Sequence, residues 1–238
     1  MELTRQHWTN RDYADFMEYL HTLGDENYKV FNQKIIPDTE NAVGIRIPAL
    51  RVIAKQIAKG NAAEFIACPK GNVHEELIIE GLVLTNVKCS YEELLSSMKY
   101  FSEKIYNWAI CDTVSFKQLK KHLEPFIEDV RSFIESPNPW VQRFGFGCLL
   151  QFYLSEPYIN QVLSYVRQID SSFYYVQMMQ AWLLATAFTK CREQTLAFLE
   201  STPPPVNAVT MNMTVQKIRD SLRVSKEDKQ LVLKFKTK

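Results

Sequence analysis

The sequence predicts an all-α chain of stacked helix pairs, and three observations predict it. Glycine is scarce, 7 residues in 238, about 3% where about 7% is usual. Tight hairpins and phosphate-binding loops draw on glycine for positive φ, so an all-β fold and a nucleotide-binding α/β fold are both disfavoured. Apolar residues recur at three- and four-residue intervals along most of the chain, the spacing of one helix face. From residue 73 onward the helices come in pairs, whose first members begin near Val73, Trp108, Asn138, Tyr174 and Asn207, at spacings of 35, 30, 36 and 33 residues. A two-helix unit repeating every roughly 30–45 residues is the mark of HEAT- or armadillo-type stacking, a superhelical solenoid with a concave face. Long ligands lie along such a face.

Each element has its own signal. Tyr13, Phe16, Met17 and Leu20 make the first apolar stripe, opened by Thr9 or Asn10 as cap. Leu50, Ile53, Ala54, Ile57 and Ala58 make another, opened by Pro48 and closed by Gly60, in keeping with proline at a helix start and glycine past its end. Leu77, Ile78, Leu82 and Val83 follow. Ser90 and Glu93 stand three apart as a capping box, opening a helix through Leu94, Leu95, Met98, Phe101 and Ile105. Second members of the pairs begin near Tyr91, Glu124, Tyr158 and Arg192. Breaks fall at Ser136-Pro137-Asn138-Pro139, Glu156-Pro157 and Thr202-Pro203-Pro204-Pro205. Ser225-Lys226-Glu227-Asp228 is a weaker cap before the last helix. The chain reads as one repeat domain over 1–238: N-terminal helices to 70, paired repeats over 71–222, and a basic terminal helix over 223–238.

At 46% hydrophobic and 23% charged residues the chain can bury a sizeable core. No G-x-G-x-x-G, G-x-x-x-x-G-K-[ST] or G-x-S-x-G string occurs; Gly145 and Gly147 lie alone in an apolar run and serve close helix packing. The formal charge is +1, but it is uneven. Residues 216–238 carry Lys217, Arg219, Arg223, Lys226, Lys229, Lys234, Lys236 and Lys238 against Asp220, Glu227 and Asp228. A basic end of this kind suits a polyanion, or is a solvated terminal helix. The five cysteines (Cys68, Cys89, Cys111, Cys148, Cys191) are widely spaced among apolar neighbours, as buried free thiols are. With no charged-then-apolar leader and no apolar run of 18 residues, we expect a soluble, cytoplasmic, monomeric protein without a membrane partner.

Three stretches offer chemistry. In Asn107-Trp108-Ala109-Ile110-Cys111-Asp112-Thr113, Trp108 and Asp112 are four apart and share a face near a helix start. They are either a core tryptophan beside a surface charge or a paired indole and carboxylate. In Val141-Gln142-Arg143-Phe144-Gly145, Arg143 either snorkels at a helix edge or holds a carboxylate or phosphate. Tyr174, Met178 and Trp182 share one helix face, a stripe that is ordinarily core. His74-Glu75-Glu76 is not H-E-x-x-H, since Ile78 stands where the second histidine belongs. No His, Cys and acid group has metal-ligand spacing, and no serine or cysteine has a recognisable activating partner. We therefore expect no metal, no cofactor and no nucleotide.

These strings resemble the AlkD-like DNA alkylation repair enzymes, HEAT-like DNA glycosylases of bacteria. The match is carried by Gly44-Ile45-Arg46-Ile47-Pro48-Ala49-Leu50-Arg51 with Ile53-Ala54-Lys55, by Asn107 to Asp112, by Val141 to Gly145, by Tyr174-Tyr175-Val176 through Ala181-Trp182, and by Gln216-Lys217. It runs from about Tyr28 to about Arg223. The resemblance implies an all-α superhelix that binds duplex DNA in a concave cleft and excises N3- or N7-alkylated purines, without a metal and without the lesion having to leave the stack. It puts the catalytic aspartate at Asp112, two cleft tryptophans at Trp108 and Trp182, and a cleft arginine at Arg143. DNA contacts are expected from Arg46, Arg51, Lys217, Arg219 and Arg223. Two other readings stand beside it: a DNA-structure binder of the same fold without excision, and a protein-interaction scaffold, which the near-neutral charge favours.

Overall fold

The computed structural model describes residues 1–237, and every regular element among them is helical. The chain divides into two compact units, Met1–Gln118 and the part from Leu119 onward. The first holds α1 (Asn10–Thr22), α2 (Glu26–Gln33), α3 (Ile47–Ile57), α4 (Ala62–Ala67), α5 (His74–Leu84), α6 (Tyr91–Ser102) and α7 (Trp108–Thr113). The second holds α8 (Leu123–Asp129), α9 (Arg131–Ile134), α10 (Pro139–Phe152), α11 (Ile159–Gln168), α12 (Tyr174–Lys190), α13 (Arg192–Leu199), α14 (Ala208–Asp220) and α15 (Lys226–Leu231), with a 3-10 turn over Val232–Phe235.

The helix starts follow the caps. Thr9 accepts from the Asp12 N–H and Asp12 answers on the Thr9 backbone, a reciprocal box at α1. Ser90 and Glu93 do the same at α6. Asn107, Asn138, Asn207 and Ser225 cap α7, α10, α14 and α15 through their side chains. Each satisfies a donor that the helix itself leaves without a partner, worth about 1 kcal/mol per cap. Each first member begins at the residue named from the periodicity or the one after it: His74, Trp108, Pro139, Tyr174 and Ala208.

In the first unit, α5 is the central helix, buried from His74 nearly to its end, with α3 and α7 packed against it. The core at its N-terminal side is aromatic: Trp8, Tyr13, Phe16 and Phe65 have ring centroids 5.0–5.9 Å apart. In the second unit α10 packs on α12, α12 on α14, and α11 on α13. Gly145 permits the approach of α10 to α9; a Cβ there would stand 2.8 Å from Ile134 and 2.9 Å from Phe133. Gly147 has no such role, since its Cβ would meet only Met179 at an ordinary 3.6 Å.

Four expectations are corrected. Asp112 is not near the start of a long helix. The backbone turns extended at Val114, so α7 has six residues and Asp112 stands in its last turn. The helix through Ile105 stops at Ser102. The stripe of Tyr174, Met178 and Trp182 is not core: Tyr174 is 52% and Trp182 44% exposed, and Met178 is partly exposed. The reason is that α10, α13 and α14 cover the other sides of α12, and its aliphatic residues face them. The basic terminal helix is only α15 and its 3-10 turn, stitched to α13 by Arg192–Asp228 at 2.5 Å and joined by Lys234 to Glu200 at 2.6 Å. Lys238 lies outside the described residues. Of the cysteines, four are buried and Cys89 is half-buried, and burial pushes the Cys148 thiol up.

Candidate functional site

In the first unit α7 is anchored by Asn107, which is fully buried. Its Oδ1 accepts from the Ile110 N–H at 3.1 Å, and its Nδ2 donates to the Pro37 carbonyl at 3.2 Å. That double use ties the start of α7, where Trp108 follows, to the backbone at Pro37. Trp108 and Asp112, both half-buried, line one cavity of about 410 Å³ together with Arg51 from α3, Tyr28 from α2, and His74, Glu75 and Ile78 from α5. Trp108 is thus half-buried and not a core residue, and Asp112 is half-buried beside it.

The loop that closes this cavity is held by a carboxylate. Glu75 is 1% exposed. Its oxygens accept the backbone N–H groups of Val43 at 2.9 Å, Gly44 at 2.6 Å and Ile45 at 3.1 Å. A buried carboxylate is tolerated when such donors replace its water. Gly44 has φ +92°, and a Cβ there would stand 2.4 Å from the Asp25 carbonyl oxygen. Only glycine suits that conformation and that space. The loop then delivers Arg46, whose guanidinium lies 4.5 Å above the Tyr28 ring and 3.3 Å from Asp25 Oδ2.

His74 sits beside Glu75, 3% exposed, with its Nδ1 3.1 Å from the Tyr106 hydroxyl. Burial pulls the imidazole pKa down, against the opposing pull of Glu75. Burial also pushes the Tyr106 hydroxyl up to about 12, aided by the charge of Glu75. Glu76 and Glu80 are buried too: Glu76 accepts from the Tyr13 hydroxyl and the Gly71 N–H, and Glu80 pairs with Lys104 at 2.5 Å.

In the second unit Trp182 lines a separate cavity of about 440 Å³ with Lys217, Arg223, Thr186, Thr189 and Ser221. The Asp220 carboxylate lines it too, so an indole, two cations, three hydroxyls and one carboxylate meet there. Arg219 is exposed on α14 outside that lining. Arg143 is 4% exposed, and its Nη1 donates to the Tyr175 carbonyl at 2.6 Å. It thereby ties α10 to the first turn of α12, where Tyr175 stacks on Trp140 with centroids 5.1 Å apart.

Of the residues singled out in the sequence, Trp108, Asp112 and Arg51 therefore share one cavity, and Trp182, Lys217 and Arg223 share another. Sequence reasoning missed Glu75, His74 and Asn107. The signal was present: three glutamates in an otherwise apolar stretch, His74-Glu75-Glu76-Leu77-Ile78-Ile79-Glu80-Gly81-Leu82, where carboxylates are rarely buried unless paired. Among the described residues no three His, Cys, Asp or Glu side chains gather as metal ligands would, and no helix is long and apolar enough to cross a membrane. A family model described as DNA alkylation repair enzyme matches residues 16–235. Comparison with curated proteins and with solved structures gave no match.

Proposed function

Because the chain belongs to the DNA alkylation repair enzyme family, we propose that it is a cytoplasmic, monomeric DNA glycosylase that releases N3- and N7-alkylated purines from duplex DNA. The observation that carries this reading is the shared cavity of Trp108, Asp112 and Arg51. Alkylation at N3 or N7 puts a positive charge on the purine. When the C1′–N bond breaks, its electron pair neutralises that charge, so the base leaves without needing a proton. The demand falls on the sugar, which becomes oxocarbenium-like.

Asp112 supplies the negative charge next to that cation and orients the water that attacks C1′. The water's proton passes to the carboxylate or to solvent. Trp108 offers an indole face to the same cation, worth roughly 0.5–2 kcal/mol. Arg46, Arg51, Arg219 and Arg223, all exposed, and the half-buried Lys217 contact phosphates. Trp182, beside Lys217 and Arg223, rests on the DNA backbone. Arg143 acts by holding the start of α12, through its bond to Tyr175.

Two outcomes are expected. Binding to duplex DNA weakens as salt rises, with a log–log slope near 0.9 per phosphate neutralised, measured by fluorescence anisotropy between low and moderate salt. Binding that ignores salt would sink the phosphate contacts. A chelator leaves base release from methylated duplex unchanged, because the chemistry is assigned to a carboxylate and a water. Release that is lost with chelator and restored by zinc or magnesium would show that a metal does the work.

A further inference from the structure

We infer that Leu222, on the turn between α14 and α15, is an apolar contact to duplex DNA, seated against the deoxyriboses that wall the minor groove, and that it makes the second unit favour DNA over RNA. The inference rests on the DNA-binding part of the proposed function and gives that surface a residue which reads no phosphate.

Leu222 is 99% exposed, more than any other large apolar residue described. It does not stand alone. With Trp182 it lines the cavity of about 440 Å³, and Trp182 ends the exposed stripe that Tyr174 and Met178 begin on α12. Four residues of helix rise about 6 Å, so the stripe runs about 12 Å before it reaches Leu222. A single exposed leucine needs no explanation, but an apolar patch bordered by polar groups marks an interaction surface.

The border of this patch is basic. Lys217 and Arg223 line the cavity with Leu222, and Arg219 and Lys226 are exposed on either side of the turn. None of these cations has an ion pair among the described residues. Asp220, the carboxylate in the same lining, accepts from Gln216 Nε2 at 2.8 Å. The occupant is therefore a polyanion that offers apolar surface between its charges. Duplex DNA does so: phosphates rim the minor groove, deoxyriboses form its walls, and leucine is among the apolar side chains that minor-groove binders set there. A lipid surface fits less well, because one leucine carries far less hydrocarbon than a single acyl chain, which by itself anchors only marginally. Double-stranded RNA fits less well too. Its minor groove displays 2′-hydroxyls, which a leucine covers without hydrogen-bonding them.

The test is fluorescence anisotropy of the full chain with an undamaged DNA duplex and with an RNA duplex of the same sequence, each at several salt concentrations. The wild type is expected to bind DNA more tightly than RNA. Leu222→Ser weakens DNA binding about tenfold, less than the full burial of a leucine is worth, and leaves RNA binding nearly unchanged. The log–log salt slope on DNA stays the same, because no phosphate contact is lost, whereas Lys217→Ala lowers it by about 1. Leu222→Met, which stays apolar, keeps the wild-type affinity. Since Leu222 is 99% exposed, serine takes no contact from the fold and the variant folds as the wild type does. Equal DNA affinity for the wild type and Leu222→Ser, an equal loss on DNA and RNA, or a Leu222→Met variant as weak as the serine one would overturn the inference. So would Leu222-dependent binding to phosphatidylserine vesicles in place of duplex, which would assign the patch to a lipid surface. The two readings fail separately. Salt-dependent duplex binding that is indifferent to Leu222 sinks this inference alone; no duplex binding by the wild type sinks the DNA reading with it.

Discussion

Asp112→Asn lowers single-turnover release of N7-methylguanine from methylated duplex by about 10²–10³, roughly 3–4 kcal/mol of barrier, the usual loss when a preorganised electrostatic group is removed. The amide keeps the shape of the side chain and removes its charge. Asp112 is half-buried and lines a cavity with Trp108 and Arg51. A charge partly withdrawn from water acts on a developing sugar cation more strongly than one in bulk solvent. Affinity for undamaged duplex stays level or rises, because a negative charge facing phosphates is gone. The loss therefore falls on the rate and not on binding. Trp108→Ala slows release too, with lost packing mixed into the effect. Equal rates for the wild type and a correctly folded Asp112→Asn variant would remove Asp112 from the chemistry. No release even by the wild type would move the reading to a DNA binder that does not excise.

Glu75→Ala is expected to be strongly destabilising to the first unit. It removes the acceptor of the Val43, Gly44 and Ile45 amides. Each buried donor left without a partner costs about 1–3 kcal/mol. Water reaches Val43, which is only half-buried, so the sum stays near 3–4 kcal/mol. At about 2–4 °C per kcal/mol for a chain of this size, the midpoint of the thermal transition falls by roughly 10 °C. Base release falls with it, since the freed loop no longer sets Arg46 and the wall of the cavity. Glu40→Ala, an exposed carboxylate on the same loop, is the control and shifts stability by less than about 0.5 kcal/mol. A Glu75→Ala midpoint within a degree of the wild type would show that the loop does not depend on this carboxylate.

The sequence by itself determined where the helices begin. Caps and apolar spacing are local properties, so Ser90 with Glu93, the asparagines at 138 and 207, and the onsets at Trp108 and Tyr174 could be read from neighbouring residues alone. It also determined which residue types could carry chemistry, because Trp108 and Asp112 stand one helical turn apart whatever surrounds them. Tertiary structure decided which face of each helix is covered. Tyr174, Met178 and Trp182 form an apolar stripe whose exposure depends on α10, α13 and α14 occupying the other sides of α12. It also decided the partners of the charged groups. Arg143 finds the Tyr175 carbonyl 32 residues away, and Glu75 finds amides 30 to 32 residues back. Side-chain spacing carries no trace of such pairings, because what a buried charge requires is a set of donors in space, and donors distant in the chain serve as well as near ones.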